Sequence, residues 1–236
     1  MIPTLSLADE PPVASLTPKS AATRARLIAV AERLFAERGI EGVSLAEINR
    51  AARQRHSNAC QYHFGNKDGL VQAILDKHVP GISASRNALF DAMEVSGTES
   101  IASVVRAFVR PVAAKLLDPN GGREFIRLNA QLVARHTMAS QGLASSLLNV
   151  PQADRLGRKL RAVLAERDLP AGLIEGRLMM AAIMLFHGLA DYSRLAEAAP
   201  AIHGRADTEN FVADLERMIE AALTAPAVGG MVAATR

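Results

Sequence analysis

From about residue 19 to residue 224, apolar residues recur at spacings of three and four, and no convincing run of alternating β-branched residues interrupts them. Three-and-four spacing is the helix period, because it lines up one face of a 3.6-residue turn. The chain is therefore expected to be all-α. Breaks are expected at Gly39/Gly42, Arg53–His56, Gly65-Asn66, Pro80-Gly81, Ser96-Gly97, Pro119–Gly122, near Gly142, at Pro151, Pro170–Gly172 and Pro200–Gly204. They divide the chain into about nine or ten helices. No repeat of about 20 to 50 residues is visible. The Pro-rich residues 1–18 and the stretch 225–236 lack periodicity and read as a flexible arm and tail.

Composition narrows the class. With 236 residues, 49% of them hydrophobic, the chain can bury a sizeable core as one large or two small domains. Its single cysteine, Cys60, excludes a disulfide framework and any cysteine-cluster zinc site. The N-terminus has no basic lead followed by an apolar run, so no secretory signal is read there. The longest apolar stretch, Leu178 to Ala190, is interrupted by His187 and falls short of the roughly 20 residues needed to cross a bilayer. The expected location is the cytoplasm.

The net charge of +3 is unevenly placed. Between Ser15 and Lys67 nine basic residues, Arg24 among them, face four acids, whereas the 169 residues after Lys67 carry equal numbers of each. A local basic patch suits a polyanion such as nucleic acid, although a solvated helix face gives the same composition.

The same segment has readable local structure. A first helix from about Ala21 to Arg38 carries Leu27, Ala31, Leu34 and Phe35 on one face, and Gly39 is placed to end it in a left-handed turn with Ile40 as the apolar contact beyond. Ser44 and Glu47 form a capping box, with Val43 and Ile48 as a hydrophobic staple, for a short second helix ending near Ala52. A third helix is expected from about Ser57 to Phe64, with Cys60 and Phe64 inward, and Asn66 caps a fourth over about 67–79. A long helix supporting two short ones across a tight turn is a helix-turn-helix. On the outer face of the third helix stand Ser57, Asn58, Gln61 and Tyr62, and Asn and Gln can pair bidentately with adenine in the major groove. Arg53, Arg55 and His56 flank its start, and Lys67 with the free N–H groups of the fourth helix offers a phosphate site. Cys60 has two readings: an inert buried thiol, or a redox switch on the recognition helix.

These residues resemble the TetR (TetR/AcrR) family of transcriptional regulators. The resemblance runs through Thr23–Ile28, Ala31–Gly39, Val43–Ile48, Ala51-Ala52 and Gln61–Leu70, covering roughly residues 23 to 78. It implies a homodimeric, all-helical DNA-binding protein, usually a repressor, with a C-terminal domain for a small effector. The family's DNA contacts fall on Ser44, on Ser57, Asn58, Ala59, Gln61, Tyr62 and His63, and on Lys67. Where the common pattern has glycine after the alanine pair this chain has Arg53, and the turn is one residue longer than the commonest spacing. If that position needs positive φ, a side chain there costs about 1 kcal/mol. The implied organisation is an arm (1–18), a helix-turn-helix domain (19–66), an effector-binding and dimerisation domain (67–224) and a tail (225–236).

For the effector, polar residues set in apolar helices are the candidates: Gln131, Arg135 and His136 in one helix, His187, Asp191 and Tyr192 in another. Phe108, Phe125, Phe186, Met138, Met179 and Met184 are candidate walls, so the effector is expected to be partly apolar. His187 and Asp191 share a face, which suits a structural histidine, an effector contact or half a metal site, and no second ligand pair is evident. No cofactor is implied. Leu178 and Leu185, in a stretch apolar all round, and the stripe Phe211, Leu215, Met218, Ile219 and Ala222 are candidates for a dimeric four-helix interface or for ordinary core.

The leading reading is a ligand-responsive regulator, in which effector binding shifts the fourth helix about its end at Pro80-Gly81. No nucleophile elbow, phosphate loop, His-Glu-x-x-His pattern or paired carboxylates supports an enzyme. The alternative is a helical protein-interaction adaptor without specific DNA binding.

Overall fold

A computed structural model describes residues 17–138, 153–167, 169–200 and 204–227. The breaks expected near Gly142 and at Pro151, and most of the expected arm and tail, lie outside the described residues. Nine α-helices follow one another there, with no strand among the described residues: α1 (Pro18–Arg38), α2 (Leu45–Ala51), α3 (Ala59–Phe64), α4 (Lys67–Ser96), α5 (Ile101–Ala113), α6 (Gly122–Met138), α7 (Ala153–Ala165), α8 (Ala171–Ala198) and α9 (Arg205–Thr224), plus a 3-10 turn at Ala114–Leu117. The all-α expectation holds.

Local chemistry sets the ends. Thr17 accepts the N–H of Ser20 and Pro18 occupies the first turn, so α1 starts three residues before the expected Ala21. Its face Leu27, Ala31 and Phe35 is fully buried and packs with Ile48, Leu70 and Ile74 into one core with the rest of the chain. Gly39 has positive φ but an extended ψ, 82° and 153°, not the left-handed turn expected. The N–H of Ile40 is satisfied elsewhere, by the side chain of Gln131.

The fourth helix corrects the sequence reading. It does not end near residue 79 but runs unbroken through Pro80 and Gly81 to Ser96. Pro80 withholds the N–H that the Asp76 carbonyl would accept, yet both residues are exposed, so water can solvate that carbonyl. Beyond the proline, Ile82, Phe90 and Met93 continue the buried stripe against α5. Burial on the inner face outweighs the defect on the outer one.

A second proline, Pro111, sits inside α5 and is buried. The carbonyl it orphans, that of Ala107, accepts the Nε of Arg86 at 3.1 Å.

The α8–α9 pair is also corrected. Leu185, Leu215 and Ile219 are buried within the single chain, where α8 packs on α9 and α9 on α5. They are core, not surface. Leu178, Phe211 and Ala222 are half-buried and Met218 is 54% exposed. Phe211 stacks on Tyr192 at 4.2 Å between centroids. By length and composition α8 is long and apolar enough to cross a membrane, which the shorter Leu178–Ala190 stretch did not suggest. Only 28% of its most apolar window is buried inside the chain.

Candidate nucleic-acid interface

The reading unit is assembled by hydrogen bonds as much as by its core. Ser44 accepts the N–H of Glu47 at 3.2 Å, and Glu47 accepts the N–H of Ser44 at 2.8 Å, forming the expected capping box at the start of α2. The Ser44 N–H, then the Arg38 guanidinium and the Ser44 hydroxyl, hold the Glu47 carboxyl down at about 2. The staple residues Val43 and Ile48 are both buried.

α2 ends in a Schellman motif. The N–H of Gln54 reaches the Asn49 carbonyl and that of Arg53 the Arg50 carbonyl, each at 3.0 Å. This motif needs a left-handed residue at Arg53, whose φ is 52°, the one positive φ outside glycine among the described residues. The anticipated strain is present.

A residue that sequence reasoning missed holds the turn. Asn49 is 4% exposed. Its amide nitrogen donates to the Ser57 carbonyl, and its oxygen accepts the N–H of Cys60 at 2.9 Å. One side chain thus ties the end of α2 to the start of α3. Helix α3 begins at Ala59, two residues later than expected, with Asn58 at the cap position making no side-chain bond. Ser57 and Asn58 therefore precede the helix, and their side chains remain exposed.

Cys60 is fully buried, and burial pushes its thiol up to about 11, which suits the inert reading. Arg53, Arg55, His56, Ser57, Asn58, Gln61 and Tyr62 are all exposed, Tyr62 at 82%, while Ala59 is half-buried. His63 is half-buried, and desolvation with the nearby Arg24 holds its imidazole below the ordinary value. Arg24 lies over the Phe64 ring at 5.2 Å. Asn66 caps α4 through the Gly69 N–H at 2.8 Å. Lys67 donates to the Ile40 carbonyl at 2.9 Å and lies 3.8 Å from Glu41, so it is anchored beside the interface.

The reading unit is fastened to the rest of the chain by polar contacts. The amide of Gln131 on α6 accepts the Ile40 N–H at 2.9 Å and donates to the Phe35 carbonyl at 2.8 Å, closing the end of α1. Arg135, one turn on, pairs with Glu41 at 2.9 Å. Glu32, buried within α1, meets Lys77 at 2.7 Å and His78 at 2.8 Å on α4. The sequence signal for this cluster is a carboxylate on the apolar stripe beside Ile28 and Phe35.

Against that geometry stand the comparisons. Residues 27–74 match the family described as bacterial regulatory proteins, tetR family, and residues 106–222 match the tetracyclin repressor-like C-terminal domain, together well over half the chain. The chain belongs to the TetR family. The family is one of bacterial transcriptional regulators with a DNA-binding helix-turn-helix domain, not one of enzymes. It is 46% identical over 54 residues to the HTH-type transcriptional regulator TtgR of Pseudomonas putida, and equally to the probable HTH-type transcriptional regulator ArpR of the same species. That match spans 23% of this chain and about a quarter (25%) of each relative. A solved structure concerned with the control of antibiotic production by bacterial hormones is 21% identical, covering 85% of this chain and 97% of that one, with a TM-score of 0.42.

In this TetR-family chain, the residues expected around an effector are dispersed. Gln131 and Arg135 engage the reading unit. Phe108 is buried, and Phe125 packs on the His78 ring at 4.6 Å between centroids. Met179, Met184 and His187 are half-buried on α8, while Asp191 is exposed and pairs with Arg194 at 2.6 Å. His187 and Asp191 form no group of three metal-binding side chains among the described residues. The side chains of His136 and Met138 lie outside the described residues. An open cleft of about 800 Å3 lies between α1, α4 and the turn before α6, lined by Arg24, Glu32, Lys77 and Gly121 among others. A smaller one of about 90 Å3 lies beside Tyr192 and Thr208. Of the residues expected around an effector, Tyr192 lines the smaller cleft, where it is buried and its hydroxyl lies 3.0 Å from that of Thr208; none of the other described ones lines either.

Proposed function

We propose that this TetR-family chain is a repressor that binds a pseudo-palindromic operator as a homodimer and releases it when a small, partly apolar effector binds the C-terminal domain. One observation carries the reading: the exposed polar group Ser57, Asn58, Gln61 and Tyr62 around a short helix that Asn49 and a full core hold in fixed orientation. Its Asn and Gln side chains are suited to base edges, and Arg53, Arg55, Lys67 and Arg24 to the phosphates around them. In a dimer two such groups meet half-sites about 34–36 Å apart, one helical turn of DNA. Dimerisation is supported by the apolar surface of α8 and α9 left uncovered by the single chain, including Met180 and Met218, each 54% exposed. The protein acts in the cytoplasm, where its DNA is, and uses no cofactor.

Release follows from two states of the reading unit relative to the remainder. The effector favours a placement of α4 and α6 in which the two recognition helices no longer match the half-sites, so effector and operator oppose each other reciprocally. The Gln131 amide is the route by which α6 reaches α1, alongside the direct link of α4 through Lys77 and His78.

The test is selection from a random DNA pool at two salt concentrations, with sequencing of what is retained. A pseudo-palindrome whose affinity falls steeply with salt is expected. Retention without sequence preference refutes the proposal.

A further inference from the structure

Charged side chains from α1, α4 and the connection before α6 meet around one buried histidine. His78 on α4 is 1% exposed, and Glu32 on α1 beside it is 2% exposed. One Glu32 oxygen lies 2.8 Å from His78 Nε2, and the other accepts Lys77 Nζ at 2.7 Å. At the other ring nitrogen, Nδ1 stands 4.0 Å from an oxygen of Asp118, in the connection between α5 and α6. Lys115 donates to that same oxygen at 2.8 Å, and the Asn120 N–H donates to its neighbour at 2.9 Å. Lys115 first, and then the Asn120 N–H, hold the Asp118 carboxyl below its ordinary range. From α6 the ring meets Phe125, and Glu124 lines the adjoining cleft.

The number of protons on the ring decides what it can hold. Glu32 already pairs with Lys77 and acts as acceptor, so Nε2 carries the proton of the neutral imidazole and Nδ1 is left as a lone pair. A lone pair does not bond a carboxylate, and the 4.0 Å between Nδ1 and Asp118 is beyond hydrogen-bond range. A second proton turns Nδ1 into a donor. Its charge then lies between the two nearest anions, with the ammonium groups of Lys77 and Lys115 beyond them. Asp118 needs to approach by only about 1 Å to reach the length of an ordinary charged hydrogen bond. Imidazole is the side chain that ordinarily changes charge between about pH 5 and pH 8. The open cleft of about 800 Å3, lined by Glu32, Lys77, Asn120 and Gly121, brings water to the edge of the cluster. The connection also presses on α1: a Cβ on Gly121, whose φ is +84°, would collide with the Glu32 carboxylate.

We infer that His78 is a proton-operated catch between the reading unit and the C-terminal half. Neutral, the ring ties α4 to α1 through Glu32. Protonated, it also bonds Asp118 and draws the start of α6 onto α4. Closing the catch takes up one proton, so the closed arrangement gains as pH falls through the imidazole range and is lost as pH rises. Glu32 belongs to the same cluster, so acidity acts on the placement of α1 and α4 without any effector. The catch depends on neither the operator nor the effector reading above.

The test is nitrogen NMR of the full chain labelled at histidine, titrated from about pH 8 to about pH 5, together with amide exchange at Gly122 and Phe125. Those two N–H groups bond the Asp118 and Gly121 carbonyls, so they report on the connection. His78 Nδ1 is expected to gain a proton over the titration while Nε2 keeps its own. Exchange at the two amides, relative to an unstructured peptide at the same pH, is expected to slow by roughly threefold or more on acidification. Asp118→Asn keeps the shape and removes the anion, and is expected to abolish the slowing. His78→Gln keeps a donor for Glu32 and does not titrate, so its relative exchange is expected to be the same at both ends of the range. His187→Gln, on α8, is the control and is expected to leave the slowing intact. Should a variant fail to fold, the wild-type titration decides alone. A His78 Nδ1 that stays bare in the folded chain at the acid end, protonation of Nδ1 without slower exchange, or slowing that persists in His78→Gln overturns the inference.

Discussion

Replacing Arg53 with glycine is expected to make the protein more stable and its grip on DNA weaker, and the two effects are separable. Arg53 sits at the left-handed position of the Schellman motif that ends α2, with φ 52°. For a residue with a Cβ that conformation is unfavourable by roughly 1–2 kcal/mol. Glycine relieves it but gives the unfolded chain more freedom, which takes back about 0.5–1 kcal/mol. The net gain is about 0.5–1 kcal/mol, or roughly 1–4 °C in melting temperature for a chain of this size. Arg53→Ala is the control, because alanine keeps the strain and loses the charge. Urea denaturation should therefore rank Arg53→Gly above both wild type and Arg53→Ala. Operator binding should show the opposite grouping: both variants lose one phosphate contact, and the slope of log affinity against log salt falls by about 0.9 in each. A glycine variant no more stable than the alanine variant would refute the strain reasoning. An unchanged salt slope in both would remove Arg53 from the phosphate contacts.

Four further outcomes are expected. Asn49→Ala leaves the Cys60 N–H and the Ser57 carbonyl without their partner and should destabilise by about 1–3 kcal/mol, read by denaturation, with operator binding lost in step. Gln131→Leu removes both bonds that close α1, so amide exchange at Ile40 should accelerate and effector-driven release should weaken even where effector binding is intact. Gln61→Ala should relax specificity at one base pair by about 1–3 kcal/mol, whereas Lys67→Ala should weaken all sequences alike and flatten the salt slope; identical behaviour of the two would overturn their assigned roles. Glu47 is held at about 2 against an ordinary 4.5, so the stability from its cap is full above 4.5 and disappears as pH falls toward 2; Glu47→Gln should blunt that acid-side loss in a thermal melt.

The parts legible in the sequence were those set by neighbours along the chain. The Ser44–Glu47 box, the Asn66 cap and the Val43–Ile48 staple each depend on a few consecutive residues and were readable from spacing, whereas the strain at Arg53 was suggested by the family pattern, which has glycine there. What stayed hidden depends on residues far apart in sequence. Asn49 looks like any polar residue near the end of a short helix until its amide is seen between Ser57 and Cys60. Gln131 reads as a pocket side chain because it interrupts an apolar helix, but the groups it meets are backbone atoms of residues 35 and 40, more than ninety positions away. Leu185, Leu215 and Ile219 carried the right pattern for an interface, and pattern alone does not say which helix covers a stripe. Proline was over-read. At position 80 the unpaired carbonyl faces water, and the burial that follows decides for a continuous helix.

That continuity has a mechanical consequence. A helix of 30 residues is about 45 Å of stiff rod, at 1.5 Å per residue. With no joint at Pro80, a disturbance in the second half of the rod is not dissipated midway. Pivoted at its Ser96 end, the rod needs a tilt of only about 3° to carry Lys67 through roughly 2 Å, a lever arm's worth of movement sufficient to break a hydrogen bond of ordinary length. Small packing changes near the Ser96 end are thereby magnified at the Lys67 end, beside the helix-turn-helix.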